Sequence, residues 1–207
     1  MSSSGHVFLL SPARAGGPRY EMLVRPEASF DLAVKLRETG ASIGAVYSFI
    51  SGLYFRGKMT YAEAFRAAPA GLPYALVIVP GAGLVPTDAV VTIDQLRAIS
   101  EIPVDESNQA YREPLLRSAK MLDEHGGPDC LHVLLGSVAS AKYTEPLLDV
   151  FGDRLVFPSD FVGRGDMSRG GLMLRCARSG SELSYVPVRG AVIHGARPPK
   201  LPRWRKP

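Results

Sequence analysis

The stretch Tyr74-Ala75-Leu76-Val77-Ile78-Val79-Pro80-Gly81-Ala82-Gly83 decides the fold. Residues 74–79 are apolar without a polar interruption, and Pro80 with two glycines ends the run. A strand with one wet face alternates apolar and polar residues. An unbroken apolar run between turn residues reads instead as a strand buried on both faces, the habit of parallel sheets. The same pattern recurs at residues 6–10, closed by Ser11-Pro12, and at residues 130–135, followed by Gly136-Ser137. Shorter runs at residues 155–157 and 183–188 complete a set of five strands, beginning near His6, Tyr74, Cys130, Leu155 and Leu183.

Between these runs the apolar period changes to that of helices. Residues 26–39 carry Phe30, Ala33, Val34 and Leu36 at helical spacing, with Pro26 near the start and Gly40 after the end. Residues 42–50 read as a second helix broken by Gly52. Thr60 and Glu63 form a capping-box pattern that opens a third at residues 60–68. Further helices are expected at residues 93–99, 113–125, 143–151 and 168–178, with Pro114 and Pro146 in first turns. Strands alternating with helices imply crossovers and a mainly parallel sheet. The sequence therefore predicts a three-layer α/β domain of about five mainly parallel strands, Rossmann-like or uracil-glycosylase-like, over residues 1–196. An extended basic tail follows at residues 197–207.

Composition sets the outer limits. The 207 residues are 46% hydrophobic and 21% charged, an ordinary globular balance that excludes disordered, collagen-like and coiled-coil chains. No apolar run approaches the ~20 residues of a membrane span, and the first residues lack the charged start of a signal peptide. A cytoplasmic protein with no membrane partner is expected. Two cysteines, Cys130 and Cys176, are too few for a disulfide framework and read as free thiols. The four histidines have no ligand spacing, so neither a metal nor a cofactor is predicted, and His132 inside a strand reads as a hydrogen-bonded core residue. Net charge is +4, but Arg197, Lys200, Arg203, Arg205 and Lys206 crowd the tail, and removing those five leaves −1. The basicity belongs to the tail, where Arg203, Trp204 and Arg205 can meet a nucleic acid by phosphate contact and stacking.

In an open parallel sheet, ligands bind beyond the carboxyl ends of the strands. That rule selects loops holding Ser11 and Arg14, Gly81, Ser137 with Lys142 and Tyr143, and residues 158–169. Small residues let backbone N–H groups approach a ligand, and cations and helix N-termini favour an anion. The densest stretch runs Asp160-Phe161-Val162-Gly163-Arg164-Gly165-Asp166-Met167-Ser168-Arg169. Here Arg164 and Arg169 are expected to hold the anion, Arg164 foremost because glycines flank it. Ser168 supports them, and Asp160 or Asp166 acts as general base or stabilises a cationic sugar centre. Tyr54, Arg56 and Lys58 cluster with Tyr47 and Tyr61 near a helix junction, a group suited either to stacking on a nucleic acid or to half-buried packing. Walker, G-x-G-x-x-G and G-x-S-x-G motifs are absent.

Val7-Phe8-Leu9-Leu10-Ser11-Pro12-Ala13-Arg14 resembles the first strand and L-S-P-A-K loop of the YaaA family of bacterial peroxide-stress proteins, with Arg14 in the place of lysine. Ser51-Gly52-Leu53-Tyr54 and Gly83-Leu84-Val85-Pro86 echo short motifs of that family. Leu53-Tyr54-Phe55-Arg56, Gly83-Leu84-Val85-Pro86-Thr87-Asp88 and Lys142-Tyr143-Thr144-Glu145-Pro146-Leu147-Leu148 also resemble elements of small bacterial α/β domains of the same general type. The resemblance implies a connection to DNA or nucleobases and supplies no reaction. Two readings follow. The chain is a nucleotide-, nucleoside- or nucleic-acid-base-processing enzyme, hydrolysing or transferring at a glycosidic or phosphoryl bond, or it is a non-catalytic DNA- or RNA-binding stress-response protein.

Overall fold

The computed structural model describes residues 5–192 together with residues 195, 196, 198, 199 and 201. Four parallel strands form the middle of a six-stranded sheet: β1 (His6–Leu10), β3 (Ala75–Val79), β6 (Leu131–Leu135) and β7 (Leu155–Pro158), in the spatial order β3-β1-β6-β7. β1 is the hub. Leu9 pairs with Leu76 on one side and with Leu134 on the other. Every residue of β1, β3 and β7 is buried, as unalternated apolar runs require. The α/β class with a mainly parallel sheet flanked by helices is therefore as the apolar runs predict.

Both edges of the sheet are antiparallel. β4 (Gly83–Pro86) folds back on β3, and β8 (Tyr185–Pro187) lies against β7. The sequence reading missed β4 and expected a crossover into the last strand. The reason lies in α8 (Asp166–Ser179), which packs across α4 (Leu53–Ala64) instead of returning the chain along β7. The Ser159 amide donates to the Ser184 carbonyl at 3.1 Å, so β8 joins the sheet at the carboxyl end of β7 and must run back. A separate two-stranded ladder, β2 (Ala41–Ser42) with β5 (Val90–Val91), was also unforeseen.

Several helices begin earlier than their cap-like residues suggest. Pro18 opens α1 (Pro18–Val24) inside the expected glycine-rich loop, and α2 covers Asp31–Glu38. Ser42 caps α3 (Ile43–Ser51) by accepting from the Ala45 amide. Gly52, at φ +63°, ends α3 and starts α4, so Thr60 lies within α4 and opens nothing. Thr92 and Gln95 form the capping box of α5 (Ile93–Ser100). Asn108 caps α6 (Gln109–Gly126), and α7 spans Ala141–Phe151, which puts Pro114 and Pro146 beyond the first turns.

Helices α4 and α8 pack backbone to backbone at their crossing. A Cβ on Gly57 would lie 2.8 Å from the Gly170 carbonyl oxygen, and one on Gly170 would lie 2.9 Å from the Leu53 carbonyl oxygen. Real Cβ atoms do not tolerate such distances, so the crossing exists only because both residues lack a side chain. It sets Tyr54 and Lys58 of α4 beside Arg169 of α8 under the carboxyl ends of the strands. No helix among the described residues is long and apolar enough to cross a membrane.

Candidate functional site

A cavity of about 720 Å³ opens at the carboxyl ends of the parallel strands. The loop after β1 supplies Ser11 and Arg14, the end of β3 supplies Pro80, and the loop after β6 with the first turn of α7 supplies Ser137, Ser140, Lys142 and Tyr143. Tyr47 of α3, Tyr54 of α4, Asp166 of α8 and the segment after α5, with Ile102 and Val104, complete the wall. Ligand pockets of enzymes fall in the ~300–1,000 Å³ range, and this one lies where the topology rule puts them.

The wall is built from strong anchors. Tyr111 of α6 donates its hydroxyl to the Lys142 carbonyl at 2.9 Å, which fixes the start of α7. Arg112 ties α6 to α7 through Glu145 at 3.3 Å and Asp149 at 2.7 Å. The first turn of α7 has no side-chain cap; the Tyr143 amide donates to the Ser140 carbonyl at 3.2 Å, so the positive end of the helix is offered to an anion through the amides of Ala141 and Lys142. The charges on the wall are unequal. Arg14 and Lys142 are cations, and Asp166 is the carboxylate, held 3.6 Å from Arg169.

Three tyrosines give the cavity aromatic surface. Burial drives the Tyr47 and Tyr143 hydroxyls well above the usual phenol range and lifts Tyr54 to about 12, so all three are donors at neutral pH. Among the described residues the buried Tyr47 and Tyr54 hydroxyls have no hydrogen-bond partner; Tyr54 lies in the field of Arg169 but makes no well-formed bond to it. Buried hydroxyls are nearly always paired, so two such groups beside a cavity suit hydrogen bonding to a ligand.

Lys58 sits directly beneath. It is 1% exposed and its Nζ lies 2.7 Å from Ser11 Oγ and 2.9 Å from the Ser11 carbonyl oxygen, 4.0 Å above the Tyr54 ring. Desolvation lowers its pKa to about 7, opposed by Asp166 and assisted by Arg169. Gly136 makes room for the serine: a Cβ there would lie 2.9 Å from Ser11 Cβ.

The structure brings Ser11, Arg14, Ser137, Lys142, Tyr143, Tyr54 and Asp166 to one cavity. It does not bring the rest. Arg164 donates to the Asp160 carbonyl at 2.9 Å and to Ser168 Oγ at 3.3 Å, a local knot outside the cavity wall, so Arg164, Asp160 and Ser168 stand apart from it. Gly81 turns the chain after β3 at φ +79°, with only Pro80 reaching the wall. Arg169 is buried and grips the Phe161 carbonyl with two N–H groups at 3.2 Å, a supporting role. Arg56 lines a shallow hollow with Arg19, and Lys58 is too buried to touch a nucleic acid. Arg203, Trp204 and Arg205 lie outside the described residues.

The roles of Lys58 and Tyr47 were the main omissions. The signal was present: Tyr54, Phe55, Tyr61 and Ala62 stand four and three residues before and three and four after Lys58, and all are buried, so the lysine points inward from an apolar face. His132 is buried as expected, yet among the described residues neither ring nitrogen has a hydrogen-bond partner. Among the described residues, no cluster of three or more metal-ligating side chains occurs. The chain matches no family model, no curated protein and no solved structure.

Proposed function

We propose that the protein binds a nucleotide in the cavity at the carboxyl ends of its parallel strands and acts on it as a hydrolase. The supporting observation is the pairing, in one cavity, of cations with aromatic rings that carry unpaired hydroxyls. Arg14, Lys142 and the uncapped start of α7 suit a phosphate. Tyr47, Tyr54 and Tyr143 suit a flat, polar base, with Asp166 accepting from a base edge or a sugar hydroxyl. A nucleic-acid substrate is the second reading, favoured by the Arg19 and Arg56 hollow, which adds cations for a phosphate backbone.

Calorimetric titration with nucleoside mono-, di- and triphosphates and with short single-stranded DNA tests both readings. Saturable nucleotide binding is expected, weakened roughly tenfold or more by Arg14→Ala and by Lys142→Ala, the usual effect of losing a hydrogen bond to a charged group. Binding of oligonucleotides without binding of free nucleotides moves the conclusion to the second reading. A chain that binds neither refutes both.

A further inference from the structure

The Ser11–Lys58 pair is a buried amine against a hydroxyl at the wall of a cavity. Lys58 touches two oxygens, both from Ser11. A neutral amine has two N–H bonds and one lone pair. The Ser11 hydroxyl also reaches the Leu135 carbonyl, at 3.4 Å; turned instead toward Nζ it presents its proton to the lone pair across 2.7 Å, while one N–H stays on the Ser11 carbonyl at 2.9 Å. Lys58 itself does not line the cavity, whereas Ser11 does, so a ligand meets the hydroxyl and not the amine. Gly136 leaves space for the Ser11 side chain, and the Ser11 amide is fixed on the Leu135 carbonyl at 3.3 Å.

We propose that Ser11 is a nucleophile and Lys58 its general base, acting on a phosphate ester bound between Arg14 and Lys142. The proposal rests on the cavity being a nucleotide site for the identity of its substrate, though not for the dyad itself. In the first step Lys58 takes the Ser11 proton, the bond from Oγ to phosphorus forms, and the bond from phosphorus to the leaving oxygen breaks. That oxygen keeps the electron pair and takes a proton from cavity water, leaving hydroxide. In the second step the hydroxide attacks the phosphoserine. Oγ departs with its electron pair and recovers its proton from Lys58. The net change is hydrolysis of the ester, with water as the one co-reactant. Arg14 and Lys142 offset the phosphate charge in both steps.

The state of Lys58 follows from what faces it. Desolvation favours the neutral amine, and Arg169 of α8 adds to that; Asp166 of α8 and the π face of Tyr54 favour the ammonium. Desolvation dominates and holds the amine at about 7. The dyad is thus half deprotonated near neutrality, where a general base is most useful.

The test is phosphorylation of the full chain by diisopropyl fluorophosphate, with fluoride leaving and the site mapped by peptide mass spectrometry. Label is expected on Ser11, at a rate that rises with pH through a midpoint near 7. Lys58→Met is expected to slow it at least a hundredfold and to remove the pH midpoint, and Ser11→Ala to abolish it. Circular dichroism confirms that each variant folds. Should Lys58→Met fail to fold, the pH profile of the wild-type chain decides the matter alone. No label on Ser11, a flat pH profile, or an unchanged rate in a folded Lys58→Met overturns the dyad. Nucleotide titration of the wild-type chain separates the two ideas. Nucleotide binding without labelling of Ser11 defeats the dyad and spares the nucleotide site; labelling of Ser11 without nucleotide binding does the reverse.

Discussion

Lys58 and His132 are both buried bases, one at each end of the sheet, and they differ in what they touch. Each is almost wholly enclosed, and burial lowers both pKa values, Lys58 to about 7 and His132 to about 3. Lys58 lies against a hydroxyl that forms part of a cavity wall. His132, near the amino end of β6, stacks on Phe151 with ring centroids 3.7 Å apart. Asp123 lies 3.8 Å from its Nε2 but is taken by Arg154 at 2.6 Å, so the imidazole remains neutral and the contact is not an ion pair. A perturbed base is thus no sign of chemistry by itself. The difference is adjacency: one base lies against a serine that lines a cavity, and the other reaches only an aromatic ring and an occupied carboxylate.

The largest expected effect separates the two directly. Lys58→Met should slow phosphorylation of Ser11 by the fluorophosphate at least a hundredfold, and His132→Gln should change it less than twofold. Equal losses in the two variants would mean that both act through general stability, and the contrast would fall.

The next effect is on stability, and it has the same sign in two separate pH windows. Unfolded Lys58 titrates near 10.5 and the folded residue near 7, so between these values the unfolded chain holds the extra proton. Stability from this group therefore rises as pH climbs from about 7 to 10.5. Unfolded His132 titrates near 6.5 and the folded residue near 3, so stability falls as pH drops through that window. Urea midpoints across pH 3–10 should show both slopes. Lys58→Met should flatten the alkaline one and His132→Gln the acid one. A variant that retains its own slope would show that another group is responsible.

A smaller effect tests the support beneath Lys58. Gly170→Ala should cost about 1–3 kcal/mol, the usual range for overpacking, and should loosen Ser11 labelling with it. The smallest is a comparison of arginines. Arg164→Ala should change nucleotide affinity less than twofold, whereas Arg14→Ala weakens it roughly tenfold or more, as for a lost charged hydrogen bond. A larger loss at Arg164 would mean that its hydrogen bonds to Asp160 and Ser168 break when the ligand binds.

What could be read from the sequence follows the same division. The central strands declare themselves because burial on both faces leaves no polar residue in residues 75–79 or in residues 7–10. The loops that meet at the cavity were legible for the same reason, since parallel strands put their carboxyl ends together. Of the edge strands, the place of β8 was legible, but β4 and the direction of β8 were not. β4 holds four residues, one of them Pro86, and the direction of β8 depends on where α8 packs, which no local pattern encodes. Arg164 drew attention through its glycines, but loop composition says nothing about which acceptors lie within reach of a guanidinium. Lys58 shows the converse. Its helical neighbours are all apolar, and a charged residue among them reads as a surface contact unless the period is followed through it.

The crossing of α4 and α8 has a consequence for how such a chain can vary. Where two bulky residues meet, enlarging one can be offset by shrinking the other, and the positions change together. Gly57 and Gly170 have nothing left to shrink, and each meets the other helix's backbone instead of a side chain. No second change at the partner site can rescue a first. Across any set of sequences sharing this arrangement, the two positions should therefore carry no pairwise signal: each will be fixed as glycine on its own account, invisible to methods that infer contacts from coupled substitution.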